Sequence, residues 1–264
     1  MRIQFSHGNG FPAGSYRAYL AALATHYPHA KFGAVERIGH DPRYPITDKW
    51  PHLVSELVAQ VESTASDPLV LIGHSLGGYL SLMAAYRIGP RVRAVVMLDS
   101  PLIPPWKAVV FALMKKTGLD ERFSPARFVK RRRERWPSRD AALEHFRDKP
   151  LFAGFDPEAL RDYVDSGIAA ADDGAALAFE RAREYRIYRT LPHHLHTFTR
   201  RAPPCPIAFI GGTQSVELRL TGDRETRRVV GERFRMIDGS HLFALEKPVE
   251  TAAATQSLLA ACGL

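Results

Sequence analysis

The chain has 264 residues, of which 45% are hydrophobic and 24% charged, with a formal net charge of +8. These values suit one large α/β domain, or two small ones, with a sizeable core; they exclude a disordered or fibrous chain. No apolar stretch approaches the ~20 residues needed to cross a bilayer. The opening "MRIQFSHGNG" lacks the apolar region and small-residue cleavage site of an export signal, so the expected compartment is the cytoplasm. Cys205 and Cys262 have no metal-like spacing and read as reduced structural thiols.

In chain order, "RIQF" (2–5) reads as a strand and "SYRAYLAALATHY" (15–27) as a helix, with Tyr16, Tyr19, Leu20 and Leu23 at helical spacing. "KFGAVERIG" (31–39) is a second strand candidate. "WPHLVSELVAQVES" (50–63) is helical, with Leu53, Leu57 and Val61 on one side. "PLVLIGHS" (68–75) is a continuous apolar run, as a strand buried on both faces requires. "LGGYLSLMAAYRIG" (76–89) is a helix stopped by Gly89-Pro90, and "VRAVVMLD" (92–99) is another buried strand. Strands alternating with helices predict a parallel sheet covered on both faces, joined by right-handed crossovers.

The rhythm breaks at "SPLIPPW" and resumes at "PIAFIGG" (206–212); a helix near 221–231, a strand "RFRMID" (233–238) and a last helix "PVETAAATQSLLAAC" (248–262) follow. Between the two halves, residues 102–202 are charged, aromatic-bearing and helix-like, with little strand signal. The expected organisation is a sheet domain, 1–101 and 203–264, interrupted by a helical insertion. Within it, residues 122–139 hold eight basic side chains and one acid, Glu134. A basic run reads first as a solvated helix face and second as a rim attracting anions. With no nucleic-acid-binding motif beside it, nucleic acid ranks last among partners.

"LIGHSLGGYL" (71–80) holds a G-x-S-x-G pattern between a buried strand and a helix. A serine at such a turn is forced into strained backbone angles that stand its hydroxyl clear of the sheet, and small neighbours let strand and helix meet. Gly73, Gly77 and Gly78 supply that room, so Ser75 is a candidate nucleophile. A serine needs a base, and the base an orienting acid. His241, just after the last strand in "DGSHLFALEKP", is the candidate base; His193, His194 and His196 precede the return to the sheet and read as structural. For the acid, two turns compete: Asp99 after "VRAVVML", and the turn after "PIAFIGG". Oxyanion donors are expected from the backbone N–H of Leu76 and from the loop "SHGNGFPAG", where Gly8, Asn9 and Gly10 let main chain approach closely.

"HGNGFPAGSY" (7–16), "GHSLGG" (73–78) and "GSHLFALEKP" (239–248), in that order, resemble a bacterial α/β-hydrolase of the serine-hydrolase superfamily. The resemblance covers the sheet domain and is specific for superfamily rather than substrate. It implies Ser75 as nucleophile, His241 as base, and the backbone N–H groups of Asn9 and Leu76 as oxyanion hole. "HGN" also looks like the corresponding loop of haloalkane dehalogenases, but those enzymes and epoxide hydrolases use an aspartate nucleophile where this chain has serine. The chain departs from the family pattern twice. Ser215 stands where many relatives carry the acid, so Asp99 is taken as the acid, with Glu217 in reserve. The usual first antiparallel strands are missing, so the expected sheet has about six strands, mostly parallel, in the family order 4-3-5-6-7-8.

The expected reaction is hydrolysis of a small-molecule carboxylic ester through an acyl-enzyme, with Trp106, Phe111, Phe155, Phe179 and Tyr188 as candidates to line a pocket under the insertion. An unperturbed imidazole base would bring activity in near about pH 6–7. The basic run points to a variant acting on thioesters or anionic esters. Carbon–carbon bond hydrolysis and perhydrolysis use the same triad, and a ligand sensor with little turnover is the reading from another class. Nothing in the residues demands a metal or an organic cofactor, and oligomeric state is not written in them.

Overall fold

The computed structural model describes residues 1–63, 68–118 and 126–264. The first half follows the predicted alternation: β1 (Arg2–Ser6), α1 (Arg17–His26), β2 (Lys31–Ala34), α2 (Pro51–Glu62), β3 (Leu69–His74), α3 (Leu76–Ile88) and β4 (Val92–Leu98). The strand predicted over 31–39 ends at Ala34 because the residues beyond leave the sheet to brace the loop after β1. Ala13 N–H donates to the Glu36 carbonyl (3.0 Å) and Gly14 N–H to the Glu36 carboxylate (3.2 Å). Ile38 N–H donates to His7 Nε2 at 2.8 Å.

Between β4 and the next sheet strand the chain forms helices α4 (Pro105–Thr117), α5 (Ala126–Val129), α6 (Arg139–Arg147), α7 (Pro157–Gly167), α8 (Arg181–Arg189) and α9 (His196–Thr199). It also forms β5 (Arg135–Trp136), β6 (Ile168–Ala171) and β7 (Gly174–Leu177), a small antiparallel sheet in the order β5-β7-β6 that the reading of this segment as helical had not anticipated. The β6–β7 hairpin is built largely from alanine, which carries weak strand preference. Its turn depends on Gly174, whose φ of 130° suits glycine alone. Of the basic run, residues 122–125 lie outside the described residues.

The chain returns with β8 (Ile207–Gly212), α10 (Val216–Thr221), α11 (Arg224–Val230), β9 (Phe234–Ile237), α12 (Phe243–Glu246) and α13 (Pro248–Ala260). Gly222, at φ 80°, divides the helix predicted over 221–231. The large sheet has six strands in the order β2-β1-β3-β4-β8-β9, all paired in parallel, which is the expected arrangement.

Period-two alternation along the central strands divides the core. Ile3, Phe5, Val70, Ile72, Val96, Leu98 and Ile210 pack on one face with α1 and α13, through Tyr19, Leu23, Leu258 and Leu259. Leu69, Leu71, Val95, Met97, Ile207 and Phe209 pack on the other with α2, α3 and α11, through Leu53, Leu57, Leu80 and Val230. Because β3, β4 and β8 are covered on both faces, every residue of "LVLIGH" and "IAFIGG" is buried. The 102–202 segment joins both cores: Phe146, Phe152, Phe155 and Tyr163 extend the first, Ile187 and Leu195 the second. Parallel pairing brings the carboxyl ends of β1, β3, β4, β8 and β9 to one edge, where the turns that matter for chemistry lie.

Candidate active site

β3 runs into α3 through a single residue, Ser75, whose backbone sits at φ 52°, ψ −112°. An L-residue holds such angles only when its surroundings over-determine them. Here Ser75 N–H donates to the Leu98 carbonyl (2.9 Å), and its own carbonyl accepts from Gly78 N–H (3.1 Å) and from the Ser100 hydroxyl (2.8 Å). The glycines make the turn possible by close approach. A Cβ on Gly73 would stand 2.2 Å from the Gly77 carbonyl, and one on Gly77 would stand 1.9 Å from the carbonyl oxygen of Ser6 in β1. The Ser75 side chain is half-buried, and no hydrogen bond reaches its hydroxyl among the described residues.

β4 ends in a second strained residue. Asp99, at φ 44° and 1% exposed, extends the ladder to β8 by donating its N–H to Ile210. Its carboxylate is fully engaged: Oδ1 accepts from Gly212 N–H (3.1 Å), and Oδ2 accepts from the Ser215 hydroxyl (2.5 Å) and from His241 Nδ1 (2.5 Å). Glu217 lies farther from the same ring nitrogen, at 3.6 Å, and its side chain is 40% exposed. Of the two competing turns, β4 supplies the carboxylate that binds the imidazole. Ser215, in the position of the missing family acid, serves that carboxylate as a donor. It also caps α10, accepting from Leu218 N–H at 3.0 Å.

With its proton on Nδ1, the His241 ring keeps a lone pair on Nε2. Burial opposes charging of this ring, but the Asp99 hydrogen bond and the carboxylates of Glu217, Asp99 and Glu246 outweigh it, holding the pKa above the ordinary histidine value. Asp99, Glu217 and His241 bring one ligand-capable atom each within 4.8 Å of one another. A cation there would need Nδ1 without the proton it gives Asp99, so the donor set fits a hydrogen-bonded Asp99–His241 pair with the Glu217 carboxylate beside it.

Two residues that pattern reading missed tie the site together. Gly8 N–H donates to the Tyr16 hydroxyl (3.2 Å), Tyr16 donates to His74 Nδ1 (2.7 Å), and His74 Nε2–H donates to the backbone carbonyl of His241 (2.8 Å). Tyr16 is fully buried and His74 is 1% exposed. Burial and the nearby His241 ring depress the His74 pKa to about 3, so it is neutral and in one tautomer. His7 is neutral for a similar reason, lowered to about 4 by burial: it donates from Nδ1 to the Gly8 carbonyl (2.8 Å) and accepts at Nε2 from Ile38. The loop from His7 to Gly10 is thereby fixed from three sides. Asn9 is 5% exposed; its amide donates to the Glu184 carbonyl at 3.0 Å, leaving its Oδ1 buried and without a partner. The backbone N–H groups of Asn9 and Leu76 are likewise unpaired among the described residues. The only sequence signal for the chain of bonds was His74 itself, the variable residue of G-x-S-x-G.

The candidate pocket residues divide. Tyr188 is half-buried on α8, beside Asn9 and among the charges of Glu184 and Glu217. Phe155 and Phe179 are buried: Phe155 packs against Phe11 and Phe152, and Phe179 stands edge-on to His7 and His40. Trp106 is 65% exposed, and Phe111 is half-buried. Much of the basic run is spent on ion pairs. Arg132 binds Glu184 (2.7 Å) and the Tyr163 hydroxyl, Arg135 binds Asp173 (2.5 Å), and Arg139 lies 3.6 Å from Asp165.

Comparison with known proteins places this geometry in context. The alpha/beta hydrolase family matches residues 5–254 of the chain. A hydrolase from a Fusarium species is 47% identical over 64 residues, which is 21% of this chain and 15% of that protein. A lipase of Mycobacterium tuberculosis, LipV, is 34% identical over 79 residues, covering 29% of this chain and 30% of the lipase. The chain therefore matches less than a third of the length of either relative. Among solved structures, E-2-(acetamidomethylene)succinate hydrolase superposes with a TM-score of 0.75 at 19% identity, covering 98% of this chain and 91% of that one. An esterase of M. tuberculosis superposes with a TM-score of 0.69 at 19% identity, covering 98% and 85%. At such identities the structural likeness speaks for the fold.

Proposed function

The chain belongs to the alpha/beta hydrolase family, and from that premise we propose that it hydrolyses small carboxylic esters through an acyl-enzyme on Ser75. The observation that carries this reading is the Asp99–His241 hydrogen bond, which fixes the proton on Nδ1 and leaves Nε2 free to take the Ser75 proton. Ser75 Oγ attacks the ester carbonyl as His241 removes its proton. Asp99 orients the imidazole and stabilises the imidazolium. The unpaired N–H groups of Asn9 and Leu76 receive the oxyanion; one such donor is worth about 2.7–4 kcal/mol in the transition state. The imidazolium then protonates the leaving alcohol, and water, activated by the same base, releases the acid. Residues 102–202 serve as a cap over the sheet domain, 1–101 and 203–264, with Tyr188 at the wall of the cleft.

A neutral ester is preferred over an anionic one or a thioester of an anionic carrier, because Arg132, whose guanidinium lies against Gly10 beside Asn9, is already paired with Glu184. The test is labelling with a fluorophosphonate followed by turnover of p-nitrophenyl esters. Ser75 should be the labelled residue, and Ser75→Ala should lose about 10⁴-fold or more in kcat with the fold intact. Turnover by Ser75→Ala at the wild-type rate would overturn the assignment. An unlabelled, inactive wild type would favour a sensor.

A further inference from the structure

α4 turns its apolar side outward. Trp106, Val109, Val110 and Leu113 are 65%, 69%, 50% and 62% exposed. Their i, i+3, i+4, i+7 spacing sets them on one stripe. The inward side is made by Ala108, Phe111, Ala112 and Lys115, buried or half-buried. A globular helix ordinarily shows water its polar side, whereas here large apolar side chains face out. Two lysines fasten the helix: Lys107 donates to the carbonyls of Leu220 (2.8 Å) and Thr221 (3.0 Å), and Lys115 pairs with Asp48 and donates to the Leu191 carbonyl (2.8 Å). The first contact sets the start of α4 against the end of α10, where Leu220 (68%) and Val216 (47%) are also exposed. An apolar surface of this kind, rimmed by polar groups, marks a place that something covers.

Charge says what covers it. α4 has three lysines and no acid, and residues 105–139 hold eleven basic against three acidic side chains, so the chain's whole net charge of +8 resides in that segment. Among the described residues, Lys107, Lys116, Arg131 and Arg133 have no carboxylate partner. A second copy of the chain would bring the same positive charge to the contact, which opposes self-association. Apolar side chains led by a tryptophan and flanked by lysines match a helix lying in the boundary of an anionic bilayer.

We propose that α4 docks the protein on an anionic lipid surface, its Trp106–Val109–Val110–Leu113 stripe entering the headgroup boundary, with the exposed Lys116, Arg131 and Arg133 left to meet lipid phosphates. α4 begins just beyond Asp99 and rests on α10, which carries Ser215 at its cap and Glu217, so the docked face is the edge that holds the candidate site. Docking stands apart from the nature of the reaction. The consequence that the ester is drawn from the lipid phase rests on the proposed function.

The experiment is co-sedimentation of the full chain carrying Ser75→Ala, so that turnover does not intervene. The vesicles are phosphatidylcholine alone or phosphatidylcholine with phosphatidylglycerol. Binding should be confined to the anionic vesicles and should weaken as salt is raised. It should also blue-shift tryptophan emission, a shift that Trp106→Phe removes because Trp50 and Trp136 are buried. Val109→Glu with Leu113→Glu should cut vesicle binding by about tenfold or more. In the chain with Ser75 intact, the same pair should leave hydrolysis of a soluble p-nitrophenyl ester unchanged. Three results would each overturn the proposal: no vesicle binding, equal binding to neutral and anionic vesicles, or undiminished binding by the glutamate variant. So would a dimer in size-exclusion chromatography that the glutamate variant dissolves, which would make the stripe a contact between copies.

Discussion

His74 Nε2 donates to the main-chain carbonyl of His241 across 2.8 Å, so the residue before the elbow serine holds the loop that carries the facing imidazole. Through Tyr16, the same ring reaches Gly8, next to the Asn9 N–H. The loops that carry His241 and Asn9 hang on one buried chain of hydrogen bonds.

Tyr16→Phe cuts that chain in the middle. It leaves Gly8 N–H and His74 Nδ1 buried and unpaired, at about 1–3 kcal/mol each. Stability should fall by that order, and kcat by about tenfold at unchanged KM, because both loops loosen while the cleft wall stays. A purely structural role would lower stability and leave kcat per folded molecule as it was.

Asp99→Asn and Glu217→Gln separate the two carboxylates. The first takes away the acceptor of the Nδ1 proton and should cost about 10⁴-fold in kcat. The second removes a negative charge 3.6 Å from Nδ1. Glu217 helps to raise the His241 pKa, and in the proposed mechanism His241 works in its neutral form. The wild-type acidic limb should therefore lie above the ordinary histidine range, and Glu217→Gln should move it to lower pH with the plateau rate kept within about twofold. A pH–rate profile decides, and a crippled plateau in the Glu217 variant would reverse the assignment of the acid.

Ser215→Ala removes a donor to Asp99 and the cap of α10 together. The cap alone is worth about 1 kcal/mol. Ser215→Asp should be worse for activity, since it sets a second carboxylate against Asp99 where a hydroxyl now donates from 2.5 Å. Steady-state rates of the two variants, with melting temperatures beside them, test the order; an aspartate variant more active than the alanine one would contradict it.

His7 and His74 make the fold acid-sensitive. Each is held neutral, with its pKa lowered from 6.5 to about 4 and about 3 respectively. The unfolded chain takes up these protons first. Each group therefore costs the native state about 1.4 kcal/mol per pH unit as pH drops below the unfolded value, until its folded pKa is reached. Glu56, raised from 4.5 to about 7 by burial, works in the opposite direction over its own window and offsets part of the loss. With that offset removed in Glu56→Gln, thermal melts should show a clear fall in melting temperature between neutral pH and pH near 5; a flat profile in that variant would refute the two neutral histidines.

Most of the sheet was legible because buried parallel strands are short apolar runs with glycine and proline between them. The elbow was legible because glycines at 73 and 77 have no other use in a strand-to-helix turn. The β6–β7 hairpin was not, since its alanines signal neither period, and its turn rests on the backbone of one glycine. Asp99 and Glu217 could not be separated by pattern: both follow sheet strands. What separates them is the third dimension, where β8 offers Gly212 N–H and Ser215 to a carboxylate arriving from β4. The Tyr16–His74 link joins residues 58 apart, and nothing in their local sequence announces it.

No side chain stands between Gly77 and Ser6, so α3 and β1 touch main chain to main chain. The Leu76 N–H rides on one and the Asn9 loop departs from the other. In the proposed mechanism these two donors form a gauge of fixed width, set by backbone atoms that no rotamer change can shift. Tolerance for substrates of different size must then be sought on the opposite wall, among the side chains of residues 102–202.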